Sequence, residues 1–358
     1  MTTAAELASY ASSFPSFRNR IINGDMRIDQ RNAGVSSLAA NATYYLDRWV
    51  FLSSQNNKFN IGQNLGSATP PTGFTNYLGL NVASAVSVAS GDYFSVAQKI
   101  EGFNVADLGW GTANAKTVTL SFQVYSSLVG TFGGVFRNSS NARAYPFTYI
   151  IPPESANTWT SISVTVVGDA TGTWNTNSSS SIEIWWNLGA GSTFSTTAGA
   201  WAAGNFTAPT GATSVVGTSG ATFYITGVQL EEGTVATPFE HRPYGTELAL
   251  CQRYCQRNAR YLALTGYQNG SSQVRTQQPL VATLRAAPSV SYSESTIPLA
   301  TTGATSFTHY TISSVAQAVF YTYNGTQEIS WNLSGWSGSD NNVCFVTYGG
   351  ILELDADL

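Results

Sequence analysis

Two histidines, His241 and His309, and 20 carboxylates make up the acid–base stock of this 358-residue chain. A Ser-His-Asp triad or a histidine-rich metal site has little to draw on. His241 stands in a polar stretch beside Arg242 and Pro243, which suits a surface or junction role. Phosphate-cradling loops, dinucleotide fingerprints, nucleophile elbows and zinc-protease helices are all missing from the sequence. Glycoside hydrolysis needs only two carboxylates. The acid best placed for it is Glu183, two residues before Trp185. One acid on an alternating strand is not a pair, so the chain is expected to be no enzyme. A glycan depolymerase is the rival reading, and a structural or decoration protein with no receptor role is another.

Aromatic side chains are the more suggestive chemistry. The 9 Trp, 18 Tyr and 18 Phe exceed what two modest cores require. Alternation along Ser181–Leu188 sends Trp186 inward and puts Trp185 outward on the face of Glu183. An outward indole ringed by polar groups can stack on the apolar face of a sugar. A second stretch of this kind holds Trp331, Trp336 and Asp340 among small polar residues. These five are the glycan-binding candidates, and burial or packing between subunits is the competing use of each indole.

Those side chains need elements to hold them. Lys116–Tyr125 alternates with Val118, Leu120, Phe122 and Val124 on one face, and Ser161–Val167 does so with Ile162, Val164 and Val166. A period of two marks sheets with one wet face. The phase breaks in Ala221–Leu230, because Phe223 and Ile225 are odd while Val228 and Leu230 are even. A β-bulge is therefore expected at Gly227. Many short strands without intervening helices predict an all-β fold, an antiparallel jelly-roll sandwich over residues 21–245.

A polar arm of residues 1–20 precedes it, without the basic start or apolar run of a secretory signal. A junction helix is predicted over 246–262, capped by Thr246. Its stripe of Leu248, Leu250, Cys251, Tyr254 and Cys255 suits packing about a threefold axis. Cys251 and Cys255, four apart on such a helix, are about 5–6 Å apart at Cβ, against ~3.8 Å for a disulfide. They read as small apolar contacts of a chain made in a reducing compartment. Residues 263–358 read as a smaller C-terminal β-sandwich tip, with a hairpin at Asn324-Gly325 and a fraying end at Leu354–Leu358.

Composition excludes other classes. Only 10% of residues are charged and the net charge is −4, so no cationic footprint for nucleic acid exists. Aromatic content of 13% argues against disorder. No run of about 18 apolar residues is present, so membrane insertion is not expected.

Four segments resemble a family of bacteriophage tail fibre and receptor-binding proteins. Arg18–Gln30 (RNRIINGDMRIDQ) and Tyr44–Trp49 (YYLDRW) resemble the opening of its β-sandwich domain. Thr222–Leu250 (TFYITGVQLEEGTVATPFEHRPYGTELAL) resembles the closing strand and exit. Leu284–Val290 (LRAAPSV) resembles the lead into a distal tip. The resemblance implies a virion tail protein, usually a homotrimer, assembled in the host cytoplasm. It would grip other tail or baseplate proteins through the arm and host glycans through a carbohydrate-binding-module-like jelly roll. Such modules often hold a structural Ca²⁺, for which Asn23, Asp25 and Glu231 stand at the matching places. An acidic pair common in the closing strand is Thr226-Gly227 here.

Overall fold

The computed structural model describes residues 17–66, 68–258, 262–268, 273–293, 296–301, 308–319, 326–334, 343–348 and 352–358. The chain divides into two compact units between Arg242 and Pro243. No helix among the described residues is long and apolar enough to cross a membrane.

The first unit is an antiparallel jelly-roll sandwich of two sheets. One has six strands, in the order Ser37–Leu38, Phe59–Gln63, Leu78–Val82, Thr222–Glu232, Val118–Ser126 and Thr160–Val166. The other has seven, in the order Ala202–Ala203, Arg143–Ile151, Gly130–Asn138, Ser180–Ala190, Tyr93–Glu101, Trp49–Ser53 and Thr43–Leu46. The inward sets are those that alternation selects. Val118, Leu120, Phe122 and Val124 meet Ile182, Ile184, Trp186 and Leu188 in one core. Trp186 sits at its centre, with ring centroids 5.5 Å from Trp49 and 5.7 Å from Phe122. Burying such rings is the main favourable term, about 1.5–3 kcal/mol for each large apolar side chain.

The closing strand shifts register between Thr226 and Gln229. Gly227 adopts φ 62, where a Cβ would also lie 2.7 Å from the Phe74 ring. This is the expected bulge, and it lets both halves of the strand point apolar residues inward. The opening segment docks on the same strand earlier than expected. Arg20 N donates to Leu230 O at 2.8 Å, and Asn19 is buried, so the sandwich begins at residue 19 rather than 21. The rest of the proposed arm, residues 1–16, lies outside the described residues.

Among its described residues the second unit is also β, with one helix. Six antiparallel strands close into a barrel, in the order Leu262–Gln268, Gln273–Pro279, Thr326–Ser334, Thr308–Val319, Thr296–Thr301 and Val343–Tyr348. The expected tip is thus a barrel rather than two facing sheets, and closure leaves no open edge. The hairpin turn at Asn324-Gly325 and the residues 320–323 before it lie outside the described residues; Thr308–Val319 pairs antiparallel with Thr326–Ser334.

The helix spans Tyr244–Gln252, not 246–262, and its N-cap is Pro243 rather than Thr246. It stops because Cys255–Asn258 leaves to pair with Leu352–Asp355. Cys251, Tyr254 and Cys255 are buried within their own chain, with no disulfide between the two cysteines, and Leu248 and Leu250 are half-buried. Of the stripe expected to meet two other copies, Cys251, Tyr254 and Cys255 are buried within one copy, and Leu248 and Leu250 keep exposed surface. The chain end does not fray either. Leu352–Asp355 is the middle strand between Cys255–Asn258 and Ser289–Tyr292. Leu352, Leu354 and Ala356 alternate into the interior, and Arg285 Nε donates to Ala356 O at 2.8 Å.

Deleting residues 352–358 should therefore abolish cooperative unfolding of the second unit. Calorimetry or hydrogen exchange on the full chain reads this, and an unchanged profile would restore the picture of a fraying tail.

Candidate functional site

The outer face of the seven-stranded sheet carries a cavity of about 390 Å³. Strand register builds its floor. Glu183 lies opposite Lys99 on one side and Arg137 on the other, so Lys99, Glu183 and Arg137 form a row across three strands. The next row is Ala97, Trp185 and Val135. Two small neighbours leave the indole room to lie on the sheet. Tyr93 and Phe194 form an aromatic wall, 5.2 Å apart and edge to face, with Tyr93 6.4 Å from Trp185. Ser139, Asn141, Asn205 and Thr207 supply hydroxyls and amides.

The charges are tightly held. The Arg137 guanidinium lies 4.3 Å over the Trp185 ring. Its Nε is 4.0 Å from Glu183 Oε2, and that oxygen accepts the Trp185 Nε1 hydrogen bond at 3.1 Å. Arg137 Nη2 donates to Asn205 Oδ1 at 2.5 Å and also to Asn141 Oδ1. Burial lowers the Arg137 pKa, and Glu183 partly offsets that. Nε and Nη1 of Arg137 are buried without a hydrogen-bond partner, the cost that the ring of Trp185 and the charge of Glu183 offset.

Trp185 faces away from the core, as alternation requires, but it is only 7% exposed. Arg137 covers one of its faces, so it is not a bare platform. Glu183 is 5% exposed, not the solvated strand residue that an isolated acid suggests. It is the one carboxylate among the residues lining this cavity, so the pair that glycoside hydrolysis needs is not assembled there. Trp331 belongs to the other unit, in a strand paired at Val274 and Val315, and is not brought beside Trp185 by any shared sheet. Trp336 and Asp340 lie outside the described residues. Lys99, Arg137, Tyr93 and Phe194 escaped the sequence reading, because only cross-strand register brings the first two to Glu183.

The residues suggested for Ca²⁺ do not fit the ion. Asn23 bonds Ile28 and Asp47 backbone groups with both ends of its amide. Glu231 accepts from Gln229 Nε2 and from Thr237 N and Oγ1. Asp25 pairs with Arg27 and leaves only Oδ1 without a partner. One spare oxygen is far from the 6–8 that Ca²⁺ takes. Among the described residues no group of three or more His, Cys, Asp or Glu side chains gathers for a metal. A cation does sit at the start of the domain, as a guanidinium. Arg242 donates to Ile21 O at 3.1 Å and to Asn19 O, with Glu240 Oε2 at 3.4 Å.

No family model matches the chain, and no curated protein matches it. Solved structures do. The enzymatically active domain of bacteriophage CBA120 tailspike protein 4 is 13% identical, with TM-score 0.33, over 61% of this chain and 22% of that one. The match thus spans well under two thirds of the tailspike domain's length. The carbohydrate-binding module TmCBM61, solved with β-1,4-galactotriose, is 9% identical with TM-score 0.31, over 60% and 99% of the two chains. A family 11 carbohydrate-binding module from Clostridium thermocellum, solved with a mixed-linked tetrasaccharide, is 10% identical with TM-score 0.26, over 58% and 99%.

Arg137→Met strands a buried carboxylate and should cost about 3–5 kcal/mol of stability, much of it recovered by Arg137→Met with Glu183→Leu. Denaturant unfolding of both variants checks this, and equal losses would show that the two charges are not coupled. Adding a Ca²⁺ chelator should leave the melting temperature of the first unit unchanged, whereas Arg242→Ala should lower it. A chelator-induced fall would reinstate a metal.

Proposed function

We propose that this chain is a virion tail fibre subunit that attaches a phage to host surface glycans by binding without catalysis. The observation that carries the glycan part is the cavity over Trp185. It combines an aromatic wall, Tyr93 and Phe194, with the amides of Asn141 and Asn205, the hydroxyls of Ser139 and Thr207, and the cations Lys99 and Arg137. Sugars present both apolar ring faces and dense hydroxyls, and this mixture of groups complements both. Lys99 and Arg137 face a single carboxylate, Glu183, so the cavity favours a glycan that itself carries carboxylates.

The tail fibre part is supported by the four segments between Arg18 and Val290. In this reading the protein works as a homotrimer on the phage tail, held through its N-terminal segment by tail or baseplate proteins. Threefold presentation turns weak single sites into useful avidity. Within the expected helical stripe, Leu248 and Leu250 are the side chains with surface left for a threefold contact.

Titrating the full-length protein with purified host surface polysaccharides tests the reading. Binding is expected without release of reducing ends, and Tyr93→Ala should weaken it by about tenfold. Sustained release of reducing ends would make the protein a depolymerase. Affinity untouched by Tyr93→Ala would remove the cavity from the account.

A further inference from the structure

We infer a second glycan site, on the outer face of the six-stranded sheet, that takes a neutral linear oligosaccharide. It occupies a different cavity from the one above, of about 450 Å³. Its floor is polar. Gln123 pairs with Ser161 and Ser121 with Ser163 across the strands Val118–Ser126 and Thr160–Val166. Gln123 Nε2 and Ser161 Oγ lie 2.8 Å apart, and Ser161 Oγ donates back to Gln123 Oε1 at 3.0 Å. The amide keeps a second N–H and a second lone pair for a ligand hydroxyl.

Its wall is aromatic. Phe74, Phe239 and His241 pack ring against ring, with centroids 4.9–5.5 Å apart. Phe74 can lie this close to the sheet because the bulge residue Gly227 has no Cβ to meet it. Outside the cavity's lining but further along the same strand face, Tyr125 stacks on Tyr224 at 5.0 Å and meets Trp159 at 5.6 Å. Outward residues along a strand repeat every ~7 Å. The row from Tyr125 through Gln123 to Ser121 therefore offers rings, then hydrogen-bonding groups beside the wall of Phe74, Phe239 and His241. That spacing suits several linked sugars rather than one.

Charge sets the ligand class. No Asp, Glu, Lys or Arg lines this cavity, whereas Lys99, Arg137 and Glu183 line the other. An acidic sugar would lose hydration here without gaining a counter-charge. A neutral one loses little and gains ring contacts.

Calorimetric titration of the full-length protein with cellohexaose, xylohexaose, mannohexaose and maltohexaose tests this. At least one should bind, and Phe239→Ala should weaken it by about tenfold. Ser163→Lys, at an exposed position that removes no core contact, should do the same by filling the groove. Melting temperatures confirm that both variants fold. Flat titrations with every hexasaccharide, or affinities that neither substitution changes, would overturn the inference. The Tyr93→Ala result bears on the other cavity alone, so the two readings fail separately.

Discussion

Strand Ser180–Ala190 has water on neither face along most of its length, and the first unit is organised around that constraint. Trp186 fills the sandwich interior against Trp49 and Phe122, while Trp185 lies on the opposite face. A central strand with two adjacent indoles needs cover on its outer side as well. The segment that follows it supplies Phe194, Asn205 and Thr207, and the flanking strands supply Tyr93 and Arg137. The cavity is what this cover leaves open. Its polar groups are therefore set by packing and by their own hydrogen bonds.

The opening and closing segments are held by the same logic. A start that lies beside the last strand brings backbone carbonyls together with few N–H groups to meet them. Asn19 answers part of this, with Nδ2 on Val228 O at 3.0 Å and Oδ1 accepting from Leu230 N at 3.0 Å. Arg242 answers the rest by capping Asn19 O and Ile21 O. A planar guanidinium with five donors can neutralise converging carbonyls without an ion. That is the physical ground for expecting indifference to chelation.

The two sheets present opposite chemistries. The seven-stranded sheet collects ionised side chains because register aligns Lys99, Glu183 and Arg137, and their mutual pairing makes such burial tolerable. The six-stranded sheet carries Ser, Gln and Thr outward and relies on ring clusters for its apolar contacts. Three further indoles, Trp110, Trp174 and Trp201, contact one another edge to face at 4.8–5.5 Å. Each gives its N–H to a backbone carbonyl, so these rings brace the loops that hold them.

Much of the sandwich was legible in the sequence, because a period of two maps directly onto inward and outward faces. Val118 to Val124, Ile182 to Leu188 and the phase break at Gly227 are local signals with a single geometric reading. The direction of Trp185 was legible for the same reason. Its burial was not, since that depends on Arg137 from a neighbouring strand and Phe194 from a covering loop. The helix was drawn too long because apolar spacing within 246–262 cannot reveal that residues 352–355 will pair with 255–258. Leu354–Leu358 reads as a polar tail until a distant strand gives it partners. The sequence by itself determined which residues face inward along each strand. Tertiary structure decided which outward residues meet, because contacts between strands depend on register and loop cover across long sequence separations, and no local pattern encodes those.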